Sequence, residues 1–214
     1  MIINNMDFDG FYETIVNYTL LDAERIHSLM NLTQDVNHRK IEGDIVECGS
    51  CKGGSSAALR VCMGDYRKLW IYDSFEGLPE TNKKDGQEAK KWIGDCKSTV
   101  QNVLEVMALT NAKDEEFVIR KGLFSDTFRQ TLPKKVALLH CDADWYESVM
   151  LVLETFYPLI PDGGVVILDD FGHWEGCRVA FYDFCKKFDE QPLLERVDYT
   201  QAYWIKGKKH KRNG

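Results

Sequence analysis

The chain has 214 residues, 44% hydrophobic and 29% charged, a balance expected of one globular domain that buries roughly 70% of its unfolded surface. No stretch reaches the roughly 20 apolar residues of a membrane span, and Met1 to Asp9 lack a basic region followed by an apolar run, so neither an anchor nor a signal peptide is expected and the cytoplasm is. The net charge is −7, yet Lys206, Lys208, Lys209, Lys211 and Arg212 sit at the end and leave −12 on the rest, which argues against a nucleic-acid surface there.

Taken in order, residues 11 to 37 carry apolar residues at mixed three- and four-residue spacing without proline. This predicts a helical segment, within residues 1–40, that covers whatever follows. Ile45-Val46-Glu47-Cys48 reads as a first strand, and Gly49, Gly53 and Gly54 lead from it into a helix that begins at Ser55. Leu69-Trp70-Ile71-Tyr72 is a second strand that ends at Asp73-Ser74. Residues 80–97 are polar and read as an insertion over a site, a lid or a solvated loop. Val100, Val103, Leu104 and Met107 mark a helix face, Glu116 to Arg120 a strand, and Gly122 to Phe128 a loop. Two short apolar runs then end in aspartates, Leu138-Leu139-His140-Cys141-Asp142-Ala143-Asp144 and Val165-Val166-Ile167-Leu168-Asp169-Asp170. Helices are predicted over Tyr146 to Leu159 and Glu175 to Phe188, then short strands near Leu194 to Val197 and Ala202 to Ile205. Residues 207–214 read as a basic, disordered tail.

Strands alternating with helices predict an α/β fold with a mainly parallel, doubly wound sheet, and ligands of such sheets bind beyond the carboxyl ends of the strands. Glu47, Gly49, Asp73, Asp142, Asp144, Asp169 and Asp170 all map to that edge. Carboxylates gathered in a partly dry cleft repel one another unless a cation or shared protons intervene, so a hard metal is the first explanation. The glycine turn is neither G-x-G-x-x-G nor a Walker loop. An acidic residue at each of the first two strand ends suits a ligand with an ammonium group and a ribose diol but no phosphate, as in S-adenosylmethionine (SAM). Seven cysteines without framework spacing read as reduced thiols, and Cys48-Gly49-Ser50-Cys51 has no second ligand pair to make a zinc site. His140, inside a strand, reads as a core histidine, whereas His173, three residues past Asp170, is a candidate base or substrate contact. Trp92, Trp145, Trp174, Tyr203 and Trp204 belong either to a pocket or to the core.

Five ordered motifs carry a resemblance to a known family: Gly43-Asp44-Ile45-Val46-Glu47-Cys48-Gly49 with Gly53-Gly54, Asp73 to Pro79, Lys121 to Thr127, Asp142 to Ser148, and Tyr157-Pro158 through Gly163-Gly164 to Asp169-Asp170-Phe171-Gly172. From about Tyr18 to Trp204 the chain resembles the macrocin O-methyltransferase-like enzymes, SAM- and magnesium-dependent methyltransferases of sugar hydroxyls on natural products. The resemblance implies a class I SAM-dependent methyltransferase (Rossmann-like) domain over residues 41–206. It further implies that Asp142, Asp169 and Asp170 hold Mg²⁺, that Asp144 is the general base, and that the chain forms a homodimer; His173, from its place in the sequence, is the rival base. Glu47, Gly49, Gly53, Gly54, Ser55, Asp73, Ser74, Ser125 and Asp142 are then the cofactor-binding set. The expected acceptor is a sugar or polyol hydroxyl of a small metabolite or glycoside. The alternatives are a catechol-type phenol, or a SAM-binding protein without catalysis.

Overall fold

The computed structural model describes residues 7–207, so the tail predicted at the end falls, past Gly207, outside the described residues. A seven-stranded sheet forms the middle layer, built from β1 (Asp44–Cys48), β2 (Leu69–Asp73), β3 (Phe117–Lys121), β4 (Val136–Cys141), β5 (Val165–Leu168), β6 (Glu195–Arg196) and β7 (Ala202–Ile205) in the order β3-β2-β1-β4-β5-β7-β6. β1 to β5 are parallel, and β7 runs antiparallel to both β5 and β6. The order reverses between β1 and β4, the switch point at which such sheets open a crevice.

The period of two in the strands sorts their side chains between two helical layers. Ile45, Leu138, Val165 and Ile167 face α1 (Phe8–Ile15), α2 (Ala23–His38), α3 (Gly54–Cys62) and α4 (Val100–Leu109). Val46, Leu139, Cys141, Val166 and Leu168 face α6 (Tyr146–Phe156) and α7 (Glu175–Phe188). The strands β4 and β5 are buried throughout, as the unbroken apolar runs predict.

Three sequence expectations change. The helix read over residues 11–37 is two helices, because the chain turns extended at Thr19 and restarts where the Asp22 side chain accepts from Arg25 N (3.0 Å) as an N-cap. The loop expected over 122–128 contains the short helix α5 (Phe124–Thr127). On α4, Leu104 is exposed and Val106 is buried in its stead, so the apolar face is rotated from the one read in the sequence.

The insertion 80–97 forms two 3-10 turns, Lys83–Asp85 and Ala89–Trp92, and is tied at several points. Asp85 is buried, and its Oδ1 accepts from Tyr146 N at the start of α6 (2.6 Å). A Cβ on Gly176 of α7 would stand 2.0 Å from that same oxygen, so glycine is what allows the segment to seat there. Among the described residues no helix is long and apolar enough to cross a membrane.

Candidate active site

The carboxyl edge of the sheet opens into a cavity of about 440 Å³. The turn after β1 supplies Gly49, Ser50 and Cys51, the first turn of α3 supplies Ser55, and the end of β2 supplies Asp73 and Ser74. Gly49 has φ +91°, and a Cβ there would lie 1.7 Å from the Asp142 carbonyl oxygen. Only glycine lets the ends of β1 and β4 come so close. The Asp73 carboxylate receives the Ser50 and Cys51 backbone N–H groups on Oδ2 (both 2.8 Å) and Phe75 N on Oδ1 (2.6 Å), which fixes the turn's shape. Burial nevertheless raises its pKa.

On the other side of the switch point, Asp142, Asp144 and Asp170 offer carboxylate oxygens that all lie within 4.8 Å of one another. Burial, then mutual repulsion, lifts Asp142 and Asp170 well above the carboxylate range, and burial chiefly lifts Asp144 to about 7. Asp170 Oδ2 is buried with no hydrogen-bond partner. An all-oxygen donor set with an unpartnered buried carboxylate oxygen fits a hard divalent cation, whose charge would relieve the repulsion.

Asp169 is turned differently. Its Oδ2 accepts from Arg25 Nη1 of α2 (2.6 Å) and its Oδ1 from Gln201 Nε2 (2.8 Å), with His140 Nε2 3.6 Å away. The sheet register sets Glu47 beside His140, and Glu47 Oε1 meets His140 Nδ1 at 3.0 Å while Oε2 accepts the Ser56 hydroxyl. Burial alone would lower the His140 pKa, but Asp169 and Glu47 push it up to about 10. Asp169 is correspondingly held low: burial opposes this, and His140, Arg25 and Gln201 outweigh it. Asp144 is the middle residue of a tight turn, at φ +55°, and its Oδ1 accepts from Trp174 Nε1 (2.9 Å).

The profile of the macrocin O-methyltransferase (TylF) family matches residues 8–206. The chain belongs to that family. It is similar to the demethyldecarbamoylnovobiocin O-methyltransferase of Streptomyces niveus, 28% identical over 202 residues that cover 87% of this chain and 75% of that one. It is also 28% identical to the 8-demethyl-8-(2,3-dimethoxy-alpha-L-rhamnosyl)-tetracenomycin-C 4'-O-methyltransferase of Streptomyces olivaceus, over 88% of this chain and 76% of that one. Among solved structures, the O-methyltransferase NovP superposes with a TM-score of 0.80 at 26% identity, covering 89% of this chain and 83% of NovP. This macrocin O-methyltransferase family member is thus a SAM-dependent O-methyltransferase of the class I fold.

Of the cofactor set read from the sequence, Gly49, Ser55, Asp73, Ser74, Ser125 and Asp142 line the cavity, and Glu47, Gly53 and Gly54 do not. Glu47 is fully buried and spent on Ser56 and His140; Gly53, at φ +90°, is the N-cap residue before α3; and Gly54 abuts Tyr18 and Thr19, where a Cβ would meet Thr19 Cβ at 2.7 Å. Asp144, Asp169 and Asp170 line the cavity, whereas His173 is exposed outside it, 3.2 Å from the Tyr199 hydroxyl. Sequence reading did not mark Arg25 or Gln201 at this site. Arg25 carries no local signal beyond its place three residues past an N-cap aspartate, and Gln201 none at all.

Proposed function

We propose that the chain transfers the methyl group of SAM to a hydroxyl of a sugar or polyol, carried by a small metabolite or glycoside, at a site that also holds Mg²⁺. The observation that carries the reading is the carboxylate cluster lining the crevice, with its unpartnered buried oxygen on Asp170. Acceptors named for the relatives, such as a rhamnosyl tetracenomycin methylated at its 4' oxygen, belong to the same chemical class.

Asp142, Asp169 and Asp170 would hold the ion, and Asp144 would take the proton from the acceptor hydroxyl. When bound, SAM supplies the electrophilic methyl, and Mg²⁺ supplies a Lewis acid that lowers the pKa of a poorly nucleophilic alcohol. Asp144 suits the base role because one of its oxygens is already fixed by Trp174, its side chain faces the cavity, and its pKa of about 7 keeps it partly ionised near neutrality. Ser55, Ser74 and Ser125 would give polar contacts to SAM. Thr19, Leu20 and Leu21, between the two N-terminal helices, would cover the cavity and limit water, with the insertion 80–97 as the opposite wall. Homodimerisation completes the proposal.

A second reading has an observation of its own: the carboxylates already grouped are Asp142, Asp144 and Asp170, with Asp169 engaged by Arg25. In that case Asp144 is a ligand and the proton leaves by another route. Mg²⁺ titration separates the two. Under the first reading Asp169→Asn weakens Mg²⁺ binding at least tenfold and Asp144→Asn leaves it within about threefold; the reverse pattern establishes the second.

The function itself is tested by transfer of labelled methyl from SAM across sugars, glycosides and phenols, with Mg²⁺ or with a chelator. Metal-dependent label on a sugar or glycoside hydroxyl is expected. Label on phenols alone, or undiminished label under chelation, overturns the corresponding part.

A further inference from the structure

Asp144 is a non-glycine residue at φ +55°, a conformation that side chains rarely adopt and that persists where its surroundings hold it. The turn is closed by the Trp145 backbone N–H, which donates to Ala143 O at 2.6 Å, and the carboxylate it presents is held by an indole. Trp174, the residue before α7, is only 8% exposed and does not line the cavity, yet its Nε1 donates to Asp144 Oδ1 at 2.9 Å from behind. Its ring is held edge-on by Trp145 (4.9 Å, 70°) and by Trp92 from the 80–97 insertion (6.0 Å, 71°). Trp145 Nε1 in turn donates to Pro79 O (3.0 Å), where that insertion begins. The backbone of Trp174 is fixed too, its N–H donating to Asp170 O at 3.0 Å.

We infer that Trp174 is a positioning residue for proton transfer: its indole N–H occupies one oxygen of Asp144, holds the carboxylate out of full participation in the Asp142 and Asp170 cluster, and leaves the other oxygen to take the acceptor's proton. The inference rests on Asp144 as the base. Without the N–H, both Asp144 oxygens are free to rotate toward the cluster, and the proton acceptor is correctly placed for a smaller fraction of encounters. The Trp92 contact makes the insertion part of the same support.

Trp174→Phe keeps an aromatic ring at the buried site and removes the donor together with one of the indole's two fused rings. The expected result is a kcat lowered 10- to 100-fold, with KM for SAM and for the acceptor and the Kd for Mg²⁺ all within about threefold of wild type. Trp174→His, which restores a ring N–H, should recover more than half of the lost activation on a logarithmic scale. In an Asp144→Asn background, Trp174→Phe should cost less than threefold. Unchanged SAM affinity shows that each variant is folded. A kcat within twofold of wild type for Trp174→Phe overturns the inference. So does a weakening of Mg²⁺ binding that matches the loss of rate, or a full loss retained in the Asp144→Asn background. If Asp144→Asn alone keeps the wild-type rate, it is the base assignment that fails, an outcome read independently of any Trp174 variant.

Discussion

Arg25 and Asp169 are 144 residues apart in sequence and meet at 2.6 Å, joining the N-terminal helical segment to the end of β5. The pair is shielded, with the Asp169 side chain 3% exposed and that of Arg25 16% exposed. Under the proposed ligand set, a cation held by Asp169 would compete with the guanidinium for Oδ2. Removing Arg25 from the metal-free protein leaves a buried carboxylate short of one counter-charge, a loss of about 3 kcal/mol. Arg25→Gln is therefore expected to lower the melting temperature without metal and to gain more from added Mg²⁺ than wild type does. Thermal unfolding with and without Mg²⁺ reads this directly, and equal gains in the two proteins would show that Arg25 does not compete.

Mg²⁺ binding should depend on pH. Asp142 and Asp170 have pKa values raised well above the usual carboxylate range, and Asp144 is raised to about 7. Each such group binds its proton more tightly folded than unfolded, so the stability it contributes is fully present below the ordinary carboxylate pKa and is lost as pH rises through the folded value. The metal-free protein is accordingly expected to lose stability from pH 5 to pH 8. Metal requires the ionised forms, so Mg²⁺ affinity should strengthen over the same interval, with protons released on binding. Calorimetry in buffers of differing ionisation enthalpy counts those protons; no release at pH 6 would contradict the prediction.

Away from the site, Arg60 of α3 fastens the segment that leads into β3. It donates through Nε to Glu116 Oε2 (2.9 Å) and through Nη1 and Nη2 to the carbonyls of Thr110 (2.8 Å) and Asn111 (2.9 Å). Burial works to raise the Glu116 pKa, but the Lys113 backbone N–H and Arg60 hold it below its ordinary value. A depressed acid contributes stability above its unfolded pKa and loses it as pH falls through the folded one. Arg60→Met should cost about 2 kcal/mol at pH 7, and less at a pH acid enough to protonate Glu116, whose carboxyl is held below its ordinary range. Urea unfolding at the two pH values tests this, and a cost independent of pH would assign the effect to the carbonyl bonds alone.

Gly49→Ala should be among the most disruptive single-methyl changes. Its Cβ would fall within 1.7 Å of the Asp142 carbonyl at a positive φ, so β1 and β4 must separate at the site itself. A destabilisation of about 3 kcal/mol or more is expected, together with weakened binding of both SAM and Mg²⁺. A variant that binds both as wild type would place the slack elsewhere in the turn.

Much of this architecture is legible in the sequence because buried parallel strands write themselves as short apolar runs, and two of those runs end in aspartates. The order of helices and strands follows the pattern closely from Asp44 to Phe188. What escapes is set by tertiary contact. Nothing in the string distinguishes Glu47 from Asp73 as acids at strand ends; register places His140 beside Glu47 and turns it inward, whereas Asp73 reaches the cavity. The break at Thr19 to Asp22 is hidden because apolar residues on both sides keep a plausible spacing. Trp174 reads as one more aromatic until its N–H is seen to point at Asp144.

The reversed direction of β7 has a practical consequence. Its first residue, Ala202, lies beside Leu168 near the aspartates, and its last, Ile205, lies beside Val165 at the opposite rim of the sheet. The chain therefore passes Gly207 on the side facing away from the cavity. An enzyme tethered to a surface by a handle placed there would be gripped by its back, with its mouth turned outward to incoming acceptor.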